Sequence, residues 1–247
     1  TAGTGSETDS AGVITKEDTY EKAFIGAPSL YPCLAVVDSE LMLSVPAGFT
    51  AYQGFDALFH SIEGYIAKGA NLMSDMYALT AIENLAKYLP RAVKDGSDLE
   101  ARTHVAFANT LSGVVMCLTL ITSEHGMEHA LSAYHPNLPH GAGLIMISRA
   151  YFSYFVRNHA CDERFIRMAR VMGIPDANKA EDFITALTHL QEACGVANLK
   201  MSDYGISFDE AEKFMRNARE VMGVMFTSDR IQMTDTDIIG IYEESWR

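Results

Sequence analysis

After Pro46 the apolar residues settle into a three-to-four-residue rhythm and keep it to the C-terminus. That rhythm confines most of this 247-residue chain to α-helices. Leu79, Ile82, Leu85 and Leu89 fall on one helix face, as do Phe165, Met168, Ala169 and Met172. Phe183, Leu187, Leu190 and Cys194 repeat the pattern, followed by Phe208, Ala211, Phe214, Met215, Ala218 and Met222. Ser97 with Glu100, Ser207 with Glu210 and, more weakly, Thr234 with Asp237 have the spacing of capping boxes that start helices. Gly96, Gly173, Gly195 and Gly223 stand where helices should stop.

The stretch before Pro46 is different in kind. Residues 12–15, 22–25 and 33–37 are short β-rich runs separated by polar or Gly/Pro turns. Three such strands would hardly be stable alone in water, so they are expected to form the edge of a larger sheet. The chain opens Thr1-Ala2-Gly3-Thr4-Gly5 with no initiator Met, as a piece of a longer protein would. The expected fold class is mainly α: remnant strands over 1–44, then an all-helical domain over 45–247.

A formal charge of −13 argues against nucleic acid or an anionic membrane as partner, because both require clustered Lys and Arg. Cys33, Cys117, Cys161 and Cys194 lie far apart, which is neither a disulfide framework nor a thiolate zinc site and fits a reducing cytoplasm. No apolar run approaches the roughly 20 residues needed to span a bilayer. The longest, 111–121, contains Ser112 and Gly113 and is expected to be the buried middle of a helix.

Against this apolar background a few side chains stand out. Asp56 and His60 are four residues apart, one turn along a helix face, and His125 and His129 share that spacing on a second helix. His140 follows Pro139 and precedes Gly141 at the expected start of a third helix. A carboxylate with several neutral imidazoles is a donor set for a divalent transition metal at neutral pH. Each pair alone has a plain alternative as ordinary core or surface residues, and the spacing by itself leaves the two readings about even. His104 and His189 sit within helical patterns as surface or core residues, His159 lies near a helix end, and His135, before Pro136, is a loop residue beside the cluster.

These residues lie in segments that closely resemble the iron-containing (group III) alcohol dehydrogenases. The segments are Gly3-Thr4-Gly5-Ser6-Glu7, the run 54–65 (GFDALFHSIEGY), Glu124-His125-Gly126-Met127-Glu128-His129, and Pro139-His140-Gly141. The likeness runs through the whole chain in order and covers the latter two-thirds of such an enzyme. It implies that the nucleotide-binding domain lies outside this sequence. It also implies Asp56, His60, His125 and His140 as metal ligands, His129 as the proton-relay histidine, and Thr1, Thr4, Ser6 and Lys22 as residues near a nicotinamide cofactor. The interval from His125 to His140 is one residue longer than is usual in the family. If the loop 134–138 did not absorb that residue, His135 would become a rival to His140.

By the same resemblance the ion would be Fe2+ (or Zn2+), the redox cofactor NAD or NADP, and the assembly a homodimer. The chemistry would be hydride transfer between an alcohol and the cofactor, with His129 moving the proton. No Lys or Arg occurs between positions 110 and 148, and only Lys68 and Lys87 between 41 and 90. A phosphorylated or carboxylated substrate normally needs a cationic clamp, so a neutral alcohol or aldehyde, or a diol, is expected. Two alternatives stay open: a non-catalytic metal-binding helical fragment, and a metal-dependent lyase resembling dehydroquinate synthase.

Overall fold

The hairpin at the start of the chain and the helices that follow are seen in a computed structural model that describes residues 5–246. Strand β1 (Ala11–Lys16) pairs antiparallel with β2 (Glu21–Gly26), in a register running from Ala11 opposite Gly26 to Lys16 opposite Glu21. Tyr20 closes the turn with φ of 55°, an uncommon backbone region for a residue bearing a side chain. That cost is offset locally. The Tyr20 ring stacks on Tyr134 at 4.6 Å, and its carbonyl accepts a 2.8 Å hydrogen bond from Asn217.

The third β-rich run does not become a strand. Residues 33–37 are irregular, with Leu34 81% and Val36 75% exposed. β-Propensity expresses itself only where a neighbouring ladder takes up the backbone N–H and C=O groups, and no described strand lies beside this run.

Nine helices account for the rest of the described chain. Helix α1 (Ala47–Ile66) follows Pro46, whose fixed φ suits a helix entrance, and it is buried around nearly its whole circumference. Helices α2 (Leu72–Lys94) and α3 (Leu99–Leu118) pack on it and on each other. Helices α4 (Ser123–Tyr134) and α5 (His140–Arg157) pack together, α5 also against α1, and the β-hairpin lies across α4 and α8. The outer shell is α6 (Asp162–Val171), α7 (Glu181–Ala193), α8 (Ala211–Phe226) and α9 (Asp235–Ser245). Phe55, Phe59, Tyr151, Phe152, Phe155, Phe165 and Phe183 form the aromatic centre of the core. Among the described residues no single helix is long and apolar enough to cross a membrane. Residues 111–121 are the last turns of α3 and its exit rather than the middle of a helix.

Some expected helix ends hold and others do not. Both groups of the capping boxes at Ser207–Glu210 and Thr234–Asp237 are made. At α3, however, the cap is Asp98, which accepts from the Ala101 N–H, while Ser97 turns back to Asp95. Gly173 and Gly195 adopt left-handed φ just after α6 and α7, as a helix stop requires. Gly223 ends nothing: α8 kinks at Met222 and runs on to Phe226.

Candidate metal centre

Asp56 lies near the middle of α1, and its Oδ1 collects three imidazoles from three helices. His60 Nε2 on α1 is 3.5 Å away, His125 Nε2 on α4 is 3.2 Å, and His140 Nε2 at the start of α5 is 3.5 Å. The His60 and His125 rings stack at 4.4 Å. Asp56, His60 and His125 are buried, and His140 is the most open of the four. His140 reaches this point because α5 begins hard against α1. A Cβ on Gly141 would stand 2.1 Å from the Tyr52 carbonyl oxygen, so only glycine allows the approach. The extra residue between His125 and His140 is absorbed by the loop. His140 enters the cluster, while His135 bonds Glu210 at 3.1 Å, outside it.

Carboxylates grip the far sides of two of these rings. His125 Nδ1 donates to Glu63 on α1, and His140 Nδ1 donates to Glu128 on α4, both in very short contacts. Thr122 Oγ1 donates to the other Glu63 oxygen at 3.1 Å. Lys22 Nζ from β2 donates to Ser132 Oγ at 2.7 Å and lies 3.4 Å from Glu128 Oε2. Sequence reasoning missed Glu63 and Glu128. The signal was present: Glu63 continues the Asp56–His60 face by three residues, and Glu128 stands three after His125, each an acid in an apolar run.

Electrostatics divide the imidazoles. Burial pushes His60 down to about 3 against the pull of Asp56, so its ring is neutral. Burial also opposes charge on His125, but Glu63 and Asp56 on its two nitrogens outweigh it and lift the ring to about 10. Burial works against the Asp56 carboxylate, yet the surrounding His60, His140 and His125 hold it well below its ordinary value. Burial, His140 and Lys22 keep His129 neutral, well below the usual imidazole range. The His129 Nδ1 faces the Lys22 carbonyl at 3.0 Å. A carbonyl only accepts, so Nδ1 carries the hydrogen and Nε2 is the free acceptor.

The donors fit a first-row dication. Bonds of about 2.0–2.2 Å in a tetrahedral arrangement set neighbouring donor atoms about 3.4 Å apart, and the three nitrogens stand at 3.2–3.5 Å from Asp56 Oδ1. Asp56, His60 and His125 have donor atoms within 4.8 Å of one another, while His140 groups by the same measure with Glu128 and His129. Three buried carboxylates, Asp56, Glu63 and Glu128, converge on the imidazoles, a concentration of negative charge that calls for a cation. The cluster floors a cavity of about 490 Å³. His129, Lys22 and Ser6 line that cavity beside apolar walls of Val13, Phe24, Met116, Leu120, Ile121 and Met225. Thr1 and Thr4, also expected near the cofactor, lie outside the described residues. His104 bonds Asn84 and stacks on Tyr88, His159 pairs with Asp162, and His189 is exposed, all outside the cavity lining.

A helical body carrying a buried cluster of side chains that could hold a metal ion is the class that this fold and site define, and comparison with known proteins gives the family. The chain belongs to the iron-containing alcohol dehydrogenase family: the model of that family's C-terminal part matches residues 50–246. The NAD-dependent methanol dehydrogenase of Bacillus methanolicus is 32% identical over 234 residues, 89% of this chain and 58% of that protein. The 1,3-propanediol dehydrogenase of Klebsiella pneumoniae is 33% identical over 212 residues, 83% of this chain and 54% of that protein. Among solved structures, an archaeal halo-thermophilic Red Sea brine pool alcohol dehydrogenase superposes with a TM-score of 0.93 at 28% identity. It matches 99% of this chain and 62% of its own. A 1,3-propanediol oxidoreductase gives 0.90 at 31% identity, over 100% of this chain and 64% of its own. The chain thus spans little more than half the length of the curated relatives it matches.

Proposed function

We propose that this chain is the metal-binding half of an NAD(P)-linked dehydrogenase that interconverts a neutral alcohol or diol with its aldehyde or ketone. The observation that carries this reading is the meeting of three imidazole Nε2 atoms on one oxygen of Asp56. Asp56, His60, His125 and His140 would hold iron(II), or zinc where iron is scarce. Such an ion supplies Lewis acidity, easing loss of an alcohol's hydroxyl proton and polarising a carbonyl in the reverse direction.

The remaining work falls to residues of the chain. His129, neutral and with Nε2 free, takes the hydroxyl proton and passes it on without storing it. Phe24, Met116, Ile121 and Met225 hold the carbon skeleton and exclude water. Among the described residues Lys22 is the one Lys or Arg lining the cavity, and its ammonium is engaged by Ser132 and Glu128. No unengaged cation is left there to clamp a phosphate or carboxylate, which favours a neutral substrate over the phosphorylated acid that a dehydroquinate-synthase-like lyase would take. Ser6, which lines the same cavity, would face the nicotinamide. The net charge of −13 speaks against a nucleic-acid or anionic-membrane partner, the scattered cysteines fit a reducing cytoplasm, and the family likeness favours a homodimer.

The test is metal content. The purified chain should carry or take up one iron or zinc ion, measured by elemental analysis after anaerobic loading and desalting. Asp56→Ala should lose it. A wild-type chain that retains no ion under those conditions would sink the reading.

A further inference from the structure

The carboxylates behind the candidate metal centre act differently on its three imidazoles. His125 Nδ1 is held by Glu63, and His140 Nδ1 by Glu128, whereas His60 Nδ1 is buried with no partner. A carboxylate can only accept a hydrogen, so His125 and His140 each donate from Nδ1. With an ion bound beside Asp56, each ring would keep that hydrogen on Nδ1 and leave Nε2 bare for the ion, whereas without one His125 offers hydrogens to Glu63 and Asp56 alike. The two grips are built differently. Glu63 is fully buried and fixed from within the helical core by Thr122. Glu128 has a bare Oε1 packed where a Cβ on Gly143 would come within 2.7 Å, and its Oε2 faces Lys22 on the β-hairpin.

We infer that Glu63 and Glu128 are positioning residues that select the metal-binding tautomer of His125 and His140, and that Lys22 of the hairpin holds Glu128 in place. The hairpin is thereby part of the metal site although it supplies no ligand: its docking across α4 sets how well His140 is aimed. This inference rests on the proposed metal centre.

The experiment titrates cobalt(II) into the 247-residue chain without nucleotide or alcohol, following the visible bands of the bound ion, so the readout is affinity rather than turnover. Glu63→Gln and Glu128→Gln keep side-chain shape. Each glutamine can, however, offer its NH2 to the ring and force the hydrogen onto Nε2, so each should weaken cobalt binding about 10- to 100-fold. Lys22→Met removes the ammonium that faces Glu128 Oε2 and lies 3.4 Å from His140 Nδ1, and should weaken binding roughly threefold or more. Glu210→Gln, which alters the carboxylate on His135 outside the cluster, should stay within about twofold of wild type.

Circular dichroism and a cooperative melt establish that each variant folds. Should a glutamine variant fail to fold, Glu63→Asp and Glu128→Asp, whose shorter arms loosen the grips on His125 and His140, decide for each carboxylate. Wild-type affinity in these folded variants would overturn the assignment, as would an equal loss in Glu210→Gln. A wild-type chain that binds no cobalt would instead remove the metal centre itself, and this inference with it.

Discussion

Asp229 shows how a single buried group, far away in sequence, sets the helix that carries two of the site histidines. The N-cap of α4, Thr122, makes no side-chain capping bond. Asp229 takes over, accepting from the Ser123 N–H at 3.0 Å and the Ser123 hydroxyl at 2.7 Å, with the Tyr151 hydroxyl at 3.3 Å. Burial nevertheless outweighs these donors and raises the Asp229 carboxyl from 3.8 to about 7. Between those values the folded chain holds a proton that the unfolded chain releases. Stability from this group is therefore fully present below about pH 4 and lost as pH rises through 7. Asp229→Asn removes that titration. The difference in melting temperature between wild type and variant should favour wild type most at pH 5 and shrink by pH 8. A gap that widens with pH would refute the assignment.

At the scale of elements, the site depends on how closely α5 can approach α1. Any side chain at Gly141 would collide with the Tyr52 backbone, which cannot step aside without disturbing the second turn of α1. Gly141→Ala should cost about 1–3 kcal/mol by overpacking and move His140 away from Asp56. Melting and cobalt titration of the same variant check both effects. A variant with wild-type stability and affinity would mean that the contact is softer than its geometry implies. Elsewhere the same element is held by ordinary means. Tyr242 on α9 bonds the Met127 carbonyl of α4 at 2.8 Å, and Gln191 on α7 bonds Ser148 of α5 at 2.9 Å, so the outer helices brace the pair that frames the site.

For the whole molecule, the proposed function would divide metal binding and hydride transfer between different parts of the full-length protein. Asp56, His60, His125, His129 and His140 lie together in one helical body, while the chain spans little more than half the length of its curated relatives. Mixed with NAD or NADP and a simple alcohol, the metal-loaded chain alone should therefore bind metal but give no rise in reduced-cofactor absorbance. Turnover by this chain in isolation would mean that its own cavity suffices for the cofactor and that the division of labour argued here is wrong.

The sequence by itself determined the helical body, because apolar spacing along a helix is a local property that survives in one dimension. It also marked Asp56, His60, His125, His129 and His140, since polar groups in apolar runs stand out without any structure and their segments carry a family likeness. Only the tertiary structure decided where strands end and which acids serve the site. Residues 33–37 have strand composition but no described neighbour to pair with, and pairing is not local. Glu63 and Glu128 look like any buried acid until folding brings α1, α4, α5 and the hairpin together. Their spacing from His60 and His125 marks them as buried acids near the site, but which ring each one holds lies in contacts between residues on different elements and only the tertiary structure shows it.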